Sequence, residues 1–534
     1  VSLRVLAIAA PQFQSGGVGD LGISSADPAS LFNGCRWAAY LAQQKIGPWG
    51  ESNWAGTRAA RRPAVLLMNS LDDSLPVLHE RLETIRPNLV LIGAMSVCLP
   101  GAVAVARYVR ALLGDDVCIV LGGRHATEAL NRPLGALQLD HHPSSPLMLM
   151  KNGRIEPLFD IVVSGDGEYI IAAIGERVAE AVLAKRPAAH ASRDLAACAD
   201  VPGRWVAGAV IDGKICSVAG RGPEIDYDQL PPPCEMFGVR TSFDVFGVPT
   251  AHVFSDVGRG CIYDCNFCSE RRSVTGLPRL DGSPKRLYRQ LAAAARVIHE
   301  DTPGVGASAF CEDSTILGFS PALVRELEQL WQAAPLPIRW GGQLTIDQIL
   351  SRPPVLSSLR ATGCEYLFLG LETLEPGAIG GLSKDVGSHR GAWVQRAERV
   401  CSLLKENGMT AGVAVLFGLG ESHQARLALL DKLGDWRSRY GFPDPISLNW
   451  AVQHPLLGAD GGAGYEYLDW ALPRGPLQDL LRNFGEASIR YSIPGTTPPR
   501  PAEVTELVRA ATLLRNTLPL RRRDAQPNTC VHDN

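Results

Sequence analysis

The chain has 534 residues, with 52 Lys and Arg set against 55 Asp and Glu and a formal net charge of −3. So even a balance argues against a polyanion-binding surface, and hence against nucleic acid as a partner. The 46% hydrophobic content describes a folded chain too long for a single core, so two or three domains are expected.

No run of about 18 apolar residues occurs, so no membrane span is expected. No basic segment followed by an apolar core and a cleavage site opens the chain, so no secretory leader is read either. Of thirteen cysteines, an odd number, all but three are scattered singly. That is no disulfide framework, and it fits a reducing cytoplasm.

The chain begins with alternating short apolar runs and amphipathic stretches. Strands are predicted at Leu3–Ala9, Pro63–Met68, Leu89–Ala94, Val117–Gly122 and Phe159–Val163. Helical periods at Leu75–Ile85, Val103–Leu113 and Glu168–Ala184 separate them. Such alternation predicts a parallel, doubly wound sheet over 1–185, with ligands at the carboxyl ends of its strands. Residues 186–250 read as a linker holding a small hairpin, Trp205–Ile211 and Lys214–Val218, with the stiff Pro231–Pro233 after it.

A second alternation runs over 251–455. Strands are predicted at His252–Ser255, Ala307–Phe310, Ile338–Gly341, Tyr366–Leu369, Gly412–Phe417 and Ile446–Trp450, and helices at Lys285–His299, Pro321–Ala333 and Gly391–Asn407. Six βα units predict a partial (β/α)6 barrel, open on one side, with its reactive groups at the strands' carboxyl ends. Residues 456–534 form a small C-terminal region on the substrate side, with a helix at Ala502–Asn516 and a solvated basic tail at Arg521–Arg523. No repeat of solenoid period is present.

The chemistry-bearing motif is Cys261, Cys265 and Cys268, spaced Cys-x3-Cys-x2-Cys directly after a predicted strand. Thiolates at this spacing can reach three irons of one cubane cluster and leave the fourth open. A zinc site would need a fourth ligand and usually a second Cys-x2-Cys knuckle, and none lies nearby.

The spacing, with an aromatic residue before the last cysteine, resembles the radical SAM superfamily. Later segments extend the likeness: Phe310-Cys-Glu-Asp313, Trp340-Gly-Gly-Gln343, Gly370-Leu-Glu-Thr373 followed by Leu382-Ser-Lys384, and Ala414 through Glu421. The resemblance implies a 4Fe–4S cluster that reductively cleaves S-adenosylmethionine to a 5′-deoxyadenosyl radical. It also implies that Glu312 closes the second strand, that Gln343 and Glu372 hold the ribose or methionine end, and that the backbone around Leu416 holds the adenine.

In the first domain, Ile92-Gly-Ala-Met-Ser96, Leu121 through Thr127 and Ser164-Gly-Asp-Gly-Glu168 resemble the cobalamin-binding domain fused ahead of radical SAM barrels in the class B enzymes. That likeness covers roughly residues 1–455. It implies a Rossmann-like cobalamin site drawing on Ser96, Gly122, Gly123, His125, Gly165 and Glu168. Asp-x-His-x-x-Gly, the usual source of a cobalt-ligating histidine, is absent. His125 therefore reads as a loop or tail contact, and the cobalt as lacking a protein imidazole.

The expected activity is cobalamin-dependent C-methylation, in which SAM delivers a methyl through methylcobalamin to a carbon of a small metabolite or peptide in natural-product biosynthesis. A flavodoxin or ferredoxin would supply electrons. The same parts suit a radical rearrangement, cyclisation or ring contraction. Glu270, two residues after Cys268, would impose a polar methylation if it occupied the open iron. A cobalamin-binding sensor is the reading of another class, and the intact cysteine triad argues against it. Cys35, Cys98, Cys118, Cys198, Cys216 and Cys234 are too dispersed for the second triad of a methylthiotransferase, and Cys401 and Cys530 are isolated. Trp450, His454, Tyr465, Tyr467 and Trp470 are candidates for a substrate pocket or for core.

Overall fold

A computed structural model describes residues 3–11, 65–67, 71–131, 140–230, 232–239, 242–243, 245–257, 261, 263, 265, 267–268, 282–374, 392–451, 496–497 and 499–516. Two seven-stranded sheets carry the architecture, each with a parallel core.

The first sheet is built from β1 (Val5–Ala9), β2 (Val65–Leu67), β3 (Leu89–Gly93), β4 (Cys118–Gly122) and β5 (Ile161–Gly165), in spatial order β2-β1-β3-β4-β5. Every pairing within this set is parallel. The strands are nearly continuous Val, Ile, Leu and Ala because both faces are covered. On one face Leu6, Ile8, Val90 and Leu121 pack with α1 (Leu71–Ile85) and α2 (Leu99–Leu113). On the other, Val5, Leu89, Val120 and Val163 pack with α3 (Ile170–Leu183). This is the doubly wound arrangement expected, with its order reversing between β1 and β3.

The hairpin of β6 (Trp205–Ile211) and β7 (Lys214–Ala219) corrects the reading of a linker. β6 pairs antiparallel to β5, and β7 to β6, so the hairpin is the edge of the first sheet. Its alternation was legible; its partner was not, because a hairpin's free edge can add to any exposed strand.

The second sheet runs β8 (Val248–Val253), β9 (Ala307–Cys311), β10 (Ile338–Leu344), β11 (Cys364–Glu372), β12 (Thr410–Phe417) and β13 (Ile446–Trp450) in sequence order, all parallel. Ser242–Phe243 adds an antiparallel edge beside β8. Because β8 and β13 lie at opposite ends of the order, the barrel is open, as expected.

The helices α4 (Pro284–Asp301), α5 (Pro321–Ala333), α6 (Trp393–Glu406) and α7 (His423–Tyr440) cover its outer face, joined by α8 (Pro501–Asn516). Ser283 caps α4 by accepting from the Arg286 N–H, and Ser422 caps α7 by accepting from the Ala425 N–H. β10 and β11 run further than predicted. The extension of β10 holds Gly342, where a Cβ would lie 2.7 Å from Ile316, and the predicted last residue, Gly341, would put one 2.7 Å from the Tyr366 carbonyl. These glycines are close-packing positions and not strand terminators.

Candidate functional site

Alternation along the barrel strands sends every second residue inward. At the amino end of the barrel Phe246, Phe310 and Tyr366 form a buried plug, with Val248 and Phe368 against it. Tyr366 meets Phe246 edge-on at 6.1 Å between ring centroids. Gly412 faces this ring from β12, where a Cβ would stand 2.1 Å from the Tyr366 hydroxyl.

Toward the carboxyl ends come His252 on β8 and Glu312 just past β9, with 2.5 Å between Nδ1 and Oε1. Next are Gln343 on β10, half-buried, Glu372 closing β11, buried, and Leu416 on β12, half-buried. Glu372 sits at φ +56, and the β11–β12 register shifts between Gly370 and Glu372. A non-glycine residue held left-handed at a bulge is a local strain of the kind that re-aims a side chain at a site. The four positions expected from the sequence therefore fall on four successive strand ends around one mouth. His252 was missed: a lone histidine inside a predicted strand carries no signal until its neighbour is known.

The cysteine segment covers part of this mouth. Cys265 is buried and packs with Leu419 and Ala451, while Tyr263, Phe267, Cys268 and Leu416 pack against that cluster. The Cys268 N–H donates to the Cys265 carbonyl at 3.1 Å, and Cys261 and Cys268 are half-buried. Among the described residues no three His, Cys, Asp or Glu side chains gather tightly enough for a single metal ion. The donor chemistry fits a cube instead, whose ligands are spread over three separate irons. Glu270, Leu382–Lys384, His454, Tyr465, Tyr467 and Trp470 lie outside the described residues. Trp450 is buried core.

The loop after β12 is pinned from below. Glu421 accepts from the N–H groups of Gly418 (2.7 Å) and Leu419 (2.8 Å) and from Arg426 at 2.5 Å. Arg426 in turn lies 4.9 Å over the Trp450 ring.

At the carboxyl edge of the first sheet the neighbouring strands β3, β4 and β5 all end in glycine: Gly93, Gly122 and Gly165. Gly93 and Gly122 are half-buried and Gly123 and Gly165 exposed, which leaves a floor of bare backbone. Two of these glycines are demanded by the chain itself. Gly123 (φ +95) would put a Cβ 2.7 Å from the Ala94 nitrogen, and Gly165 (φ +82) would put one 2.2 Å from the Arg204 carbonyl. The Thr127 hydroxyl bridges two of these glycines, accepting from the Gly165 N–H at 3.2 Å and donating to the Gly123 carbonyl at 3.2 Å; with no Cβ on the glycines, a large flat group could approach the backbone beside it.

Ser96, His125 and Glu168, expected as contacts, lie buried beneath this floor. His125 stands in the short helix Arg124–Ala129 and is not a loop residue. Its Nε2 donates to the Ser144 carbonyl at 3.0 Å, which settles the tautomer at that nitrogen, and Nδ1 is 3.1 Å from Ser96 Oγ. Ser96 Oγ is also 3.3 Å from Glu128. These side chains hold the edge in shape from within.

The last cluster joins the two halves. Past β8, the N–H groups of Ser255 and Asp256 donate to the Asp313 carboxylate at 3.2 Å, and the Ser255 hydroxyl donates to it as well. Burial, followed by the nearby Asp256 charge, pushes the Asp313 carboxyl up to about 6. Asp256 pairs with Arg286 at 2.5 Å, both nearly fully buried. Arg286 lies 5.7 Å over the Tyr227 ring, and the Tyr227 hydroxyl donates to Asp166, just beyond β5, at 3.4 Å.

No family model matches the chain. Over 168 residues, 31% of its length, the chain is 26% identical to bacteriochlorophyllide d C-12(1)-methyltransferase of Chlorobaculum tepidum. The match spans about a third of that relative, 33% of its length. Among solved structures the chain is similar to a radical S-adenosylmethionine methyltransferase, TsrM, from Kitasatospora setae, with cobalamin and a 4Fe–4S cluster bound. Identity is 16%, the TM-score 0.49, and the match covers 85% of this chain and 74% of that one. The same protein with tryptophan substrate and a SAM analogue gives 17% identity and a TM-score of 0.46 over the same shares. Methylornithine synthase, PylB, matches over 52% of this chain and 85% of its own at 15% identity and a TM-score of 0.28.

Proposed function

We propose that this chain is a cobalamin-dependent radical SAM methyltransferase acting on a carbon of a small metabolite or peptide in natural-product biosynthesis. The observation that carries the reading is the position of the three cysteines. They lie on the segment between the first strand and first helix of an open parallel barrel, over a mouth ringed by Glu312, Gln343, Glu372 and Leu416. The named relative, a methyltransferase, favours methyl transfer over rearrangement by the same parts.

In this reading Cys261, Cys265 and Cys268 hold the cluster and leave one iron for SAM. Glu372 and Gln343 accept and donate hydrogen bonds to the polar end of SAM, and Leu416 offers an apolar surface to its adenine. The glycine floor of the first sheet receives the corrin. When bound, the cluster supplies electrons and the cobalt a methyl carrier. An external electron donor such as flavodoxin or ferredoxin completes the system.

The test is anaerobic reconstitution with iron, sulfide and hydroxocobalamin, followed by reduction in the presence of SAM. Expected are about four irons per chain, formation of S-adenosylhomocysteine and a methylated product from extracts of the producing organism. Production of 5′-deoxyadenosine in step with product assigns a radical route; its absence while methylation continues assigns a polar one. A fully loaded cluster with no SAM consumption would reject the enzyme reading in favour of a sensor.

A further inference from the structure

The cysteine segment leaves the barrel at Val257 and returns at Gly282, and both ends meet at one buried point. Gly282 lies so close to the departing chain that a Cβ there would stand 1.7 Å from the Ser255 carbonyl. On the other side, Asp313 receives the Ser255 and Asp256 N–H groups and the Ser255 hydroxyl. The hydroxyl oxygen of Ser255 in turn accepts from the Val257 N–H at 3.3 Å. Asp256 itself is held at φ +55, a conformation that costs a side-chain-bearing residue energy and persists only where its surroundings over-determine it. Its carboxylate is bound by Arg286, one turn into α4, and each of the two side chains is about 2% exposed or less.

These groups converge on the two ends of the segment that carries the thiols. A buried ion pair is a poor source of stability, because desolvation offsets its attraction, but it is an effective way to specify one geometry. Groups that orient a metal's ligands from behind govern how tightly the metal centre is held.

We infer that Asp256, Arg286 and Asp313 are positioning residues that fix the root of the cysteine loop, and with it the aim of the three thiols. The inference rests on the reading of Cys261, Cys265 and Cys268 as cluster ligands. Arg286 also stacks on Tyr227, whose hydroxyl donates to Asp166, so the root is tied to the carboxyl edge of the first sheet.

The experiment compares wild type, D313N and the double variant D256N/R286M, which removes both charges together so that neither is left buried alone. Each is reconstituted anaerobically and followed by iron transfer to ferrozine, by thermal melting and by EPR of the reduced cluster with and without SAM. D256G/R286M, whose glycine suits the left-handed backbone while both charges are again removed, repeats the test if D256N/R286M does not fold. R110M/D160N removes a largely buried pair between α2 and the residue preceding β5 and reports what general destabilisation does to the same readouts.

The expected result is iron uptake equal to wild type, release at least about tenfold faster, and loss of the SAM-induced change in the EPR spectrum. Wild-type release rates and spectra in the loop-root variants would overturn the inference, as would equal acceleration in R110M/D160N. A wild-type chain that takes up no cluster would instead overturn the functional reading, which separates the two failures.

Discussion

At Asp313 burial and then the Asp256 charge raise the carboxyl pKa, the Ser255 hydroxyl, the Cys311 thiol and the Asp256 N–H oppose the rise, and burial wins, leaving it at about 6 against an ordinary 3.8. Between those values the folded chain binds more protons at this site than the unfolded chain does. Its contribution to stability is therefore greatest at the acid end and is lost as pH rises through about 6, with a slope of up to about 1.4 kcal/mol per pH unit. D313N should flatten that part of the curve; urea unfolding from pH 4 to pH 7 measures it, and identical slopes in wild type and variant would refute it. Cys265→Ala should abolish both cluster loading and SAM cleavage, read by iron content and by product chromatography. Glu372→Gln should raise the KM for SAM by about tenfold to a hundredfold with the cluster intact, the loss of a hydrogen bond to a charged group; an unchanged KM would remove Glu372 from the SAM site.

Among the elements, the barrel strands show what a linear reading can and cannot supply. Apolar runs at regular intervals marked all six strands and three of the helices between them, because period and length are local properties, but the helix His423–Tyr440 was not among those predicted. β10 runs past its predicted end at Gly341 to Leu344, with Gly342 making room for Ile316 as Gly341 does for Tyr366. Gly412 serves the same ring from the far side. Gly412→Ala should cost about 1–3 kcal/mol from overpacking against the Tyr366 hydroxyl, and Y366F should recover part of it. Chemical denaturation of the single and double variants decides this, and simple additivity would count against the contact.

On the scale of the whole molecule, the hairpin Trp205–Ile211 and Lys214–Ala219 belongs to the first sheet, so that sheet's core extends to Ala219 and the connection to the barrel is shorter than expected. Among the described residues no helix is long and apolar enough to cross a membrane. If the glycine floor receives a corrin, saturating hydroxocobalamin should stabilise the folded chain by about 2.7 kcal/mol at a hundredfold excess over Kd. A rise in melting temperature with ligand concentration, seen by scanning calorimetry, checks this; a flat response would leave the floor without its proposed occupant.

The sequence by itself determined the two αβ alternations, the thiol triad, and the order of Glu312, Gln343, Glu372 and Leu416 along the chain, since each depends on spacing between near neighbours. Only the tertiary structure decided that His252 meets Glu312, that Ser96 and His125 lie under the glycine floor and not on it, and that Asp256, Arg286 and Asp313 converge on the loop root. Those pairs are 29 to 60 residues apart. Their meeting depends on which strand lies beside which and on which side chains the packing buries, and neither is a property of any local stretch of chain.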